Sequence, residues 1–205
     1  NKKMIEELFA VSIECSTNKS LRAAILTGRG KLFCAGADLA VLTEMSSRGE
    51  AQILEMATII HAAVTRFSQM DAPLVVAVIG AAGGGGFSLA LAGDYVIASN
   101  KAKFVSAYTA SALTPDGSST YFLAKHVGLL RAKELAMTSR VLSPNEALEW
   151  GLVNKVVSAD ELASEAQRIA GVFAAGPTKA FGGLKRLLQT AFSDTMETQL
   201  DKESV

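Results

Sequence analysis

The chain has 205 residues, of which 49% are hydrophobic and 20% charged, enough apolar material to bury a sizeable core in one domain with a helical appendage. Lys and Arg number 20, as do Asp and Glu, and no basic run is present, which argues against a nucleic-acid-tracking surface and favours a small-molecule partner. The two cysteines, Cys15 and Cys34, form neither a metal-ligand spacing nor a disulfide framework, and no apolar run reaches membrane-spanning length. A reducing, cytoplasmic setting is expected, with no metal, no resident cofactor and no membrane partner. The opening Asn1-Lys2-Lys3-Met4-Ile5 is amphipathic rather than signal-like and starts inside a helical pattern, so further residues are expected before it.

Met4, Leu8, Val11 and Cys15 keep helical spacing, with Asn1 placed to cap the segment. The run 21–27 predicts a buried strand closed by the turn Gly28-Arg29-Gly30. Leu32-Phe33-Cys34-Ala35-Gly36-Ala37-Asp38-Leu39 is small and apolar around Gly36, and Asp38 is placed to cap a following helix. Ile53, Met56, Ala57, Ile60, Val64 and Phe67 predict a long amphipathic helix over 50–70, ended by Asp71-Ala72-Pro73. His61 lies on it, and a lone histidine beside an apolar face is either a packed, hydrogen-bonded residue or a chemical group.

The apolar run 74–79 reads as a strand covered on both faces, and it delivers the chain to Gly80-Ala81-Ala82-Gly83-Gly84-Gly85-Gly86 and then to the short helical pattern Phe87-Ser88-Leu89-Ala90-Leu91-Ala92. Consecutive glycines let backbone approach a ligand, and free N–H groups opening a helix can donate to negative charge, so this stretch is a candidate oxyanion site. A tight turn with glycines present only for packing is the alternative. No Gly-x-Gly-x-x-Gly in register and no Gly-Lys-Ser/Thr loop supports nucleotide binding.

Further on, Thr114-Pro115-Asp116-Gly117 precedes Ser118-Ser119-Thr120 and a helix through 121–124, so Asp116 is either a turn and capping residue or a catalytic carboxylate. A short helix is expected over 129–138. Ser143 with Pro144 and Glu146 marks a capping box, Gly151 a helix end, and Trp150 a core position. A last strand is expected over 153–157, a helix opened by Ser158 and Glu161 through 173, and a break at Gly176-Pro177 before a segment over 178–190. Lys185 and Arg186 on that segment form either a solvated helix face or a contact to phosphate.

Phe33-Cys34-Ala35-Gly36-Ala37-Asp38-Leu39, then Pro73 with its strand, Gly84-Gly85-Gly86, Asp94-Tyr95-Val96-Ile97-Ala98 and the block 142–153 together resemble the enoyl-CoA hydratase/isomerase (crotonase) superfamily along nearly the whole chain. The resemblance implies an α/β fold, a ββα spiral over 1–157 with leading strands missing and a helical C-terminal region over 158–205 used for trimerisation, giving a homotrimer or hexamer. It implies an acyl-CoA thioester as substrate, coenzyme A being part of that substrate. It places the two oxyanion-hole N–H groups on Ala37 and Gly85, with Ala35, Asp38, Leu39 and Gly84 beside the substrate.

The chain departs from the hydratases at Ser88 and Tyr108, where the family carries its two catalytic glutamates. Hydration needs such carboxylates to hold and deprotonate water, so it is disfavoured. Asp116 is similar to the catalytic aspartate of the family's ring-epoxyphenylacetyl-CoA isomerases and to the nucleophile of its 4-chlorobenzoyl-CoA dehalogenases, whose water-activating histidine falls on His61. Tryptophans of those dehalogenases are replaced by Ile60 and Tyr108, which leaves Tyr108 as an aromatic wall of the acyl pocket. Isomerase-type proton transfer by Asp116 is therefore expected. The alternatives are dehalogenase-type hydrolysis with His61, and a non-catalytic CoA-binding scaffold.

Overall fold

The computed structural model describes residues 1–38 and 50–204. Helix α1 (Lys2–Thr17) begins where the Asn1 side chain accepts from the Met4 N–H at 3.0 Å, the capping its sequence calls for. Strand β1 (Ala24–Thr27) is shorter than the apolar run because the Leu21 N–H closes a turn on Asn18 O and the Arg22 guanidinium reaches Ala174 O and Gly176 O. After α2 (Glu50–Gln69) come β2 (Leu74–Val78), β3 (Ala81–Gly83), α3 (Gly85–Leu91), β4 (Tyr95–Ser99) and β5 (Lys103–Val105). A 3₁₀ turn (Thr109–Ser111) leads to α4 (Ser119–Thr138), α5 (Pro144–Glu149) and β6 (Lys155–Val157), then α6 (Leu162–Ala175), α7 (Thr178–Thr190) and α8 (Met196–Glu203).

The main sheet is parallel throughout in the order β1-β2-β4-β6, and β3 pairs with β5 in a second small layer. Two successive passes, β2-β3-α3 and β4-β5-α4, each place one strand in the main sheet, one in the small layer and then a helix. Cys34 bridges Ala82 in parallel and so extends the small layer toward the first pass. This is the α/β spiral of repeated ββα turns.

The period-2 alternation of β2 divides the core. Leu74, Val76 and Val78 face a cluster containing Val64 and Phe67 of α2 and Phe87 and Leu91 of α3. Val75, Ala77 and Ile97 face Leu162, Ala166 and Ile169 of α6. Burial on both faces explains why the run at 74–78 is continuously apolar, each fully buried Val or Leu contributing roughly 1.5–3 kcal/mol.

Helix α4 contains a break at Gly128 (φ 76°, ψ 165°), which separates the two helical segments the sequence suggests. The capping box at Ser143 forms, with Ser143 Oγ accepting from Glu146 N at 3.3 Å and Ser143 N donating to Glu146 Oε2 at 3.0 Å. Trp150 packs against the main core cluster, at its edge. It is half-buried, with the guanidiniums of Arg131 and Arg140 at 4.5 and 4.9 Å from the ring, because its outer face suits a delocalised cation. Lys185 differs from a solvated face, its Nζ lying 2.7 Å from Asp94 Oδ2 with only 10% of its side chain exposed, whereas Arg186 stays exposed and pairs there with Asp71 at 2.8 Å. Burial pushes the Asp94 carboxyl upward, opposed by Lys185 and by the Leu74 N–H that Asp94 accepts. Among the described residues no helix is long and apolar enough to cross a membrane, and no group of three His, Cys, Asp or Glu is placed to hold a metal ion.

Candidate active site

The two glycine stretches lie side by side. Phe33 and Cys34 both donate their N–H to Ala81 O at 3.1 Å, and Gly83 N–H donates to Cys34 O at 2.9 Å. Such closeness requires glycine: a Cβ on Gly86 would stand 2.0 Å from Cys34 O, and one on Gly36 (φ +98°) 2.8 Å from Gly83 O and 3.2 Å from Gly85 N. Gly84 is buried at φ +49°, its N–H donating to Val105 O at 3.0 Å, and so turns the chain from β3 into α3. Gly85 is the first residue of that helix, where an N–H has no intrahelical acceptor. Among the described residues neither the Gly85 N–H nor the Ala37 N–H meets an acceptor. These two donors, without partners among the described residues, flank the close approach of Gly36 to Gly85 N and lie next to an exposed surface at Ala35, Ala37 and Asp38; free backbone N–H groups of this kind can donate to a carbonyl oxygen or an oxyanion. Leu39 lies outside the described residues.

A second feature stands beside these donors. The Pro115-Asp116-Gly117 turn is gripped by side chains from three separate parts of the chain. Tyr108 Oη donates to Asp116 Oδ1 at 2.6 Å, Ser88 Oγ of α3 reaches both Tyr108 Oη at 2.8 Å and Asp116 O at 2.9 Å, and Gly117 N–H donates to Nε2 of His61 at 3.1 Å. The Asp116 side chain therefore turns to Tyr108 rather than capping α4, whose N-cap position is taken by Ser118 without a side-chain capping bond. Tyr108 is 8% exposed and its hydroxyl lies 3.9 Å from where a Cβ on Gly85 would be, so the turn and the backbone donors share one neighbourhood. Burial, followed by the Asp116 carboxylate, pushes the Tyr108 phenol well above its ordinary range and keeps it protonated.

His61 is exposed yet engaged, because its Nε2 lone pair is taken by Gly117 N–H; the proton of the neutral ring then sits on Nδ1. Ile60 is half-buried against the main core cluster. Ser88 enters the sequence reading only as the place of a missing glutamate, with no role of its own. Its one signal is a hydroxyl inside the apolar turn Phe87-Ser88-Leu89-Ala90-Leu91, where a polar group needs a partner.

The family model described as enoyl-CoA hydratase/isomerase matches residues 1–205. The chain belongs to the enoyl-CoA hydratase/isomerase family. Among relatives of this crotonase chain, 1,2-epoxyphenylacetyl-CoA isomerase of Escherichia coli K12 is 37% identical over 204 residues, covering 97% of this chain and 78% of its own. 4-Chlorobenzoyl coenzyme A dehalogenase-1 of an Arthrobacter species is 32% identical over 202 residues, covering 98% of this chain and 73% of its own. The crystal structure of an enoyl-CoA hydratase from Polaromonas sp. JS666 superposes with a TM-score of 0.92 at 34% identity, covering 98% of this chain and 78% of that one. These names denote three different reactions on one crotonase frame, so the family does not by itself fix the chemistry.

Proposed function

We propose that the protein is an acyl-CoA enzyme that moves a proton between two carbons of an enoyl-CoA, with a thioester enolate as the intermediate. In this reading the N–H groups of Ala37 and Gly85 hold the thioester oxygen, and they bind it more strongly once it carries negative charge. Asp116 takes the proton from one carbon and returns it to another, and Tyr108 forms part of the acyl pocket. The observation that carries the reading is the composition of the site: at the bound oxygen's edge Ser88 and Tyr108 are hydroxyls, and both are bonded to Asp116. One titrating carboxylate suffices to carry a proton away and back, whereas adding water calls for a second group to deprotonate it. The isomerase relative supports the same reading.

A second reading, hydrolysis of an aryl halide on CoA with Asp116 as nucleophile, draws support from the placement of His61 next to Gly117 and from the dehalogenase relative. Against it, the imidazole nitrogen nearest the turn already accepts a backbone N–H and so has no lone pair left for water. Association into trimers belongs to the same proposal, supported by Leu184, Leu188, Phe192, Met196 and Leu200, which α7, α8 and their connection leave exposed.

The test is incubation of the protein with a panel of enoyl- and aryl-CoA thioesters in deuterated water, followed by mass analysis. Deuterium uptake without net addition of water is the expected result. Net hydration, or halide release, would overturn the isomerase reading, and an inert panel would favour a CoA-binding scaffold.

A further inference from the structure

We propose that Tyr108, supported by Ser88, is a positioning residue that gives the two carboxylate oxygens of Asp116 different tasks, Oδ1 being held by the phenol and Oδ2 carrying the migrating proton. The proposal rests on Asp116 as the proton carrier.

Counting donors and acceptors orders the contact between Tyr108 and Asp116. The ionised carboxylate only accepts, so across the 2.6 Å contact the proton belongs to Tyr108. That commits the one phenolic proton. The Ser88 hydroxyl also has a single proton, which goes to Asp116 O at 2.9 Å or to Tyr108 Oη at 2.8 Å. Either way, Ser88 holds one member of the Tyr108–Asp116 pair. Its backbone frame is rigid, because a Cβ on Gly117 would meet Ser88 Cβ at 2.9 Å, and only glycine allows the turn to lie this close to α3. From the far side His61 fixes Gly117 N–H, so the carboxylate is approached by a donor on one oxygen while its backbone is tied at two points.

The chemical consequence follows from charge. A strong donor on Oδ1 neutralises part of its negative charge and leaves Oδ2 the more basic oxygen. In the first half-step a C–H bond of the acyl chain breaks, its electron pair enters the thioester enolate and the proton bonds to Oδ2. In the second half-step the delocalised enolate's electron pair forms a C–H bond at another carbon, the thioester C=O is restored, and the Oδ2–H bond breaks with its pair left on the carboxylate. Tyr108 keeps its own proton throughout, in line with a phenol whose burial and carboxylate neighbour oppose ionisation. The pair of hydroxyls thus orients a base without adding one.

The experiment measures isomerisation by the full chain on the best enoyl-CoA of the panel, with thermal unfolding as a control, in Tyr108→Phe, Ser88→Ala, their double variant and Asp116→Asn. Tyr108→Phe should lower kcat about tenfold or more while KM stays nearly unchanged, since the lost bond orients the base and does not hold the CoA ester. Ser88→Ala should lower kcat less. The double variant should lose less than the product of the two single losses, because both hydroxyls serve the one Asp116 network; independent packing roles would instead give multiplied losses. If Tyr108→Phe fails to fold, the kcat-against-KM split in Ser88→Ala decides the matter. Unchanged kcat in a folded Tyr108→Phe, or a loss confined to KM, would overturn the positioning role while leaving Asp116 in place. Full turnover in Asp116→Asn would overturn the underlying reading instead.

Discussion

The backbone N–H of Gly117 donates to Nε2 of His61 at 3.1 Å, so a helix-borne imidazole serves as the acceptor for the residue that follows Asp116. Gly117 is buried, and its N–H would lose its partner if His61 were removed. His61→Leu is accordingly expected to cost about 1–3 kcal/mol of stability and to lower turnover with it. His61→Gln offers a carbonyl oxygen at similar reach and should keep most of both. Paired melting curves and kcat values check this, and equal behaviour of the two variants would show that the bond contributes little. Covalent trapping of a haloaryl-CoA on His61→Gln would point to the hydrolytic alternative, in which a stalled aryl ester awaits activated water.

Asp116→Asn separates a structural turn residue from a proton carrier. The amide oxygen still accepts from Tyr108, and no capping bond is at stake because the native side chain makes none to α4. Stability should change by about 1 kcal/mol or less. Proton exchange should fall roughly 10²- to 10⁴-fold, with acyl-CoA affinity retained through Ala37 and Gly85. Exchange measured by mass shift, together with calorimetric affinity on the same sample, gives both numbers.

Gly85 allows a steric and a chemical role to be told apart. A Cβ there would have Tyr108 Oη at 3.9 Å and Gly36 Cα at 4.0 Å as its nearest neighbours, ordinary contact distances, so Gly85→Ala should fold and keep its N–H. Gly85→Pro removes that donor, and turnover should drop by about 10²- to 10³-fold. Circular dichroism verifies that both variants are folded before rates are compared. A folded proline variant with native activity would exclude the Gly85 N–H from the reaction.

Glu165 on α6 sets an acid limit to stability. Hydrogen bonds from Arg168 and then Lys155 hold its carboxyl down, from an ordinary 4.5 to about 2. A depressed folded-state value means that the carboxylate stabilises the fold above pH 4.5 and that this contribution is lost as pH falls from 4.5 toward 2. Wild type should therefore melt above Glu165→Gln at neutral pH, with the gap closing across that window. A gap that stays constant with pH would sink the assignment.

What the sequence reveals follows from how local each cause is. Strand β2 is legible because five consecutive buried residues write both of its faces into one apolar run, and the capping box at Ser143 because its partners lie three residues apart. The break at Gly128 is signalled by the glycine itself. Lys185 gives no such sign, since its partner Asp94 sits on a distant turn beside β2 and only the packing of α7 brings them together. The same holds within the site. The closeness of the two glycine stretches is legible in their small residues, but the bond from Ser88 to Asp116 spans 28 residues and that from Gly117 to His61 spans 56, and neither residue type betrays its partner.

The all-parallel sheet also orders events in time. Its pairings join segments far apart in sequence: Thr27 Oγ1 of β1 reaches Ala77 O of β2 across 50 residues, and Asn154, just before β6, binds Val96 of β4 across 58. Each such closure must be reached against chain entropy before the next pass of the spiral has a surface to land on. The Asp116 turn, clasped by α2 and α3, takes its shape only after those passes have stacked. On dilution from denaturant, helical signal should return first and the ability to turn over substrate last.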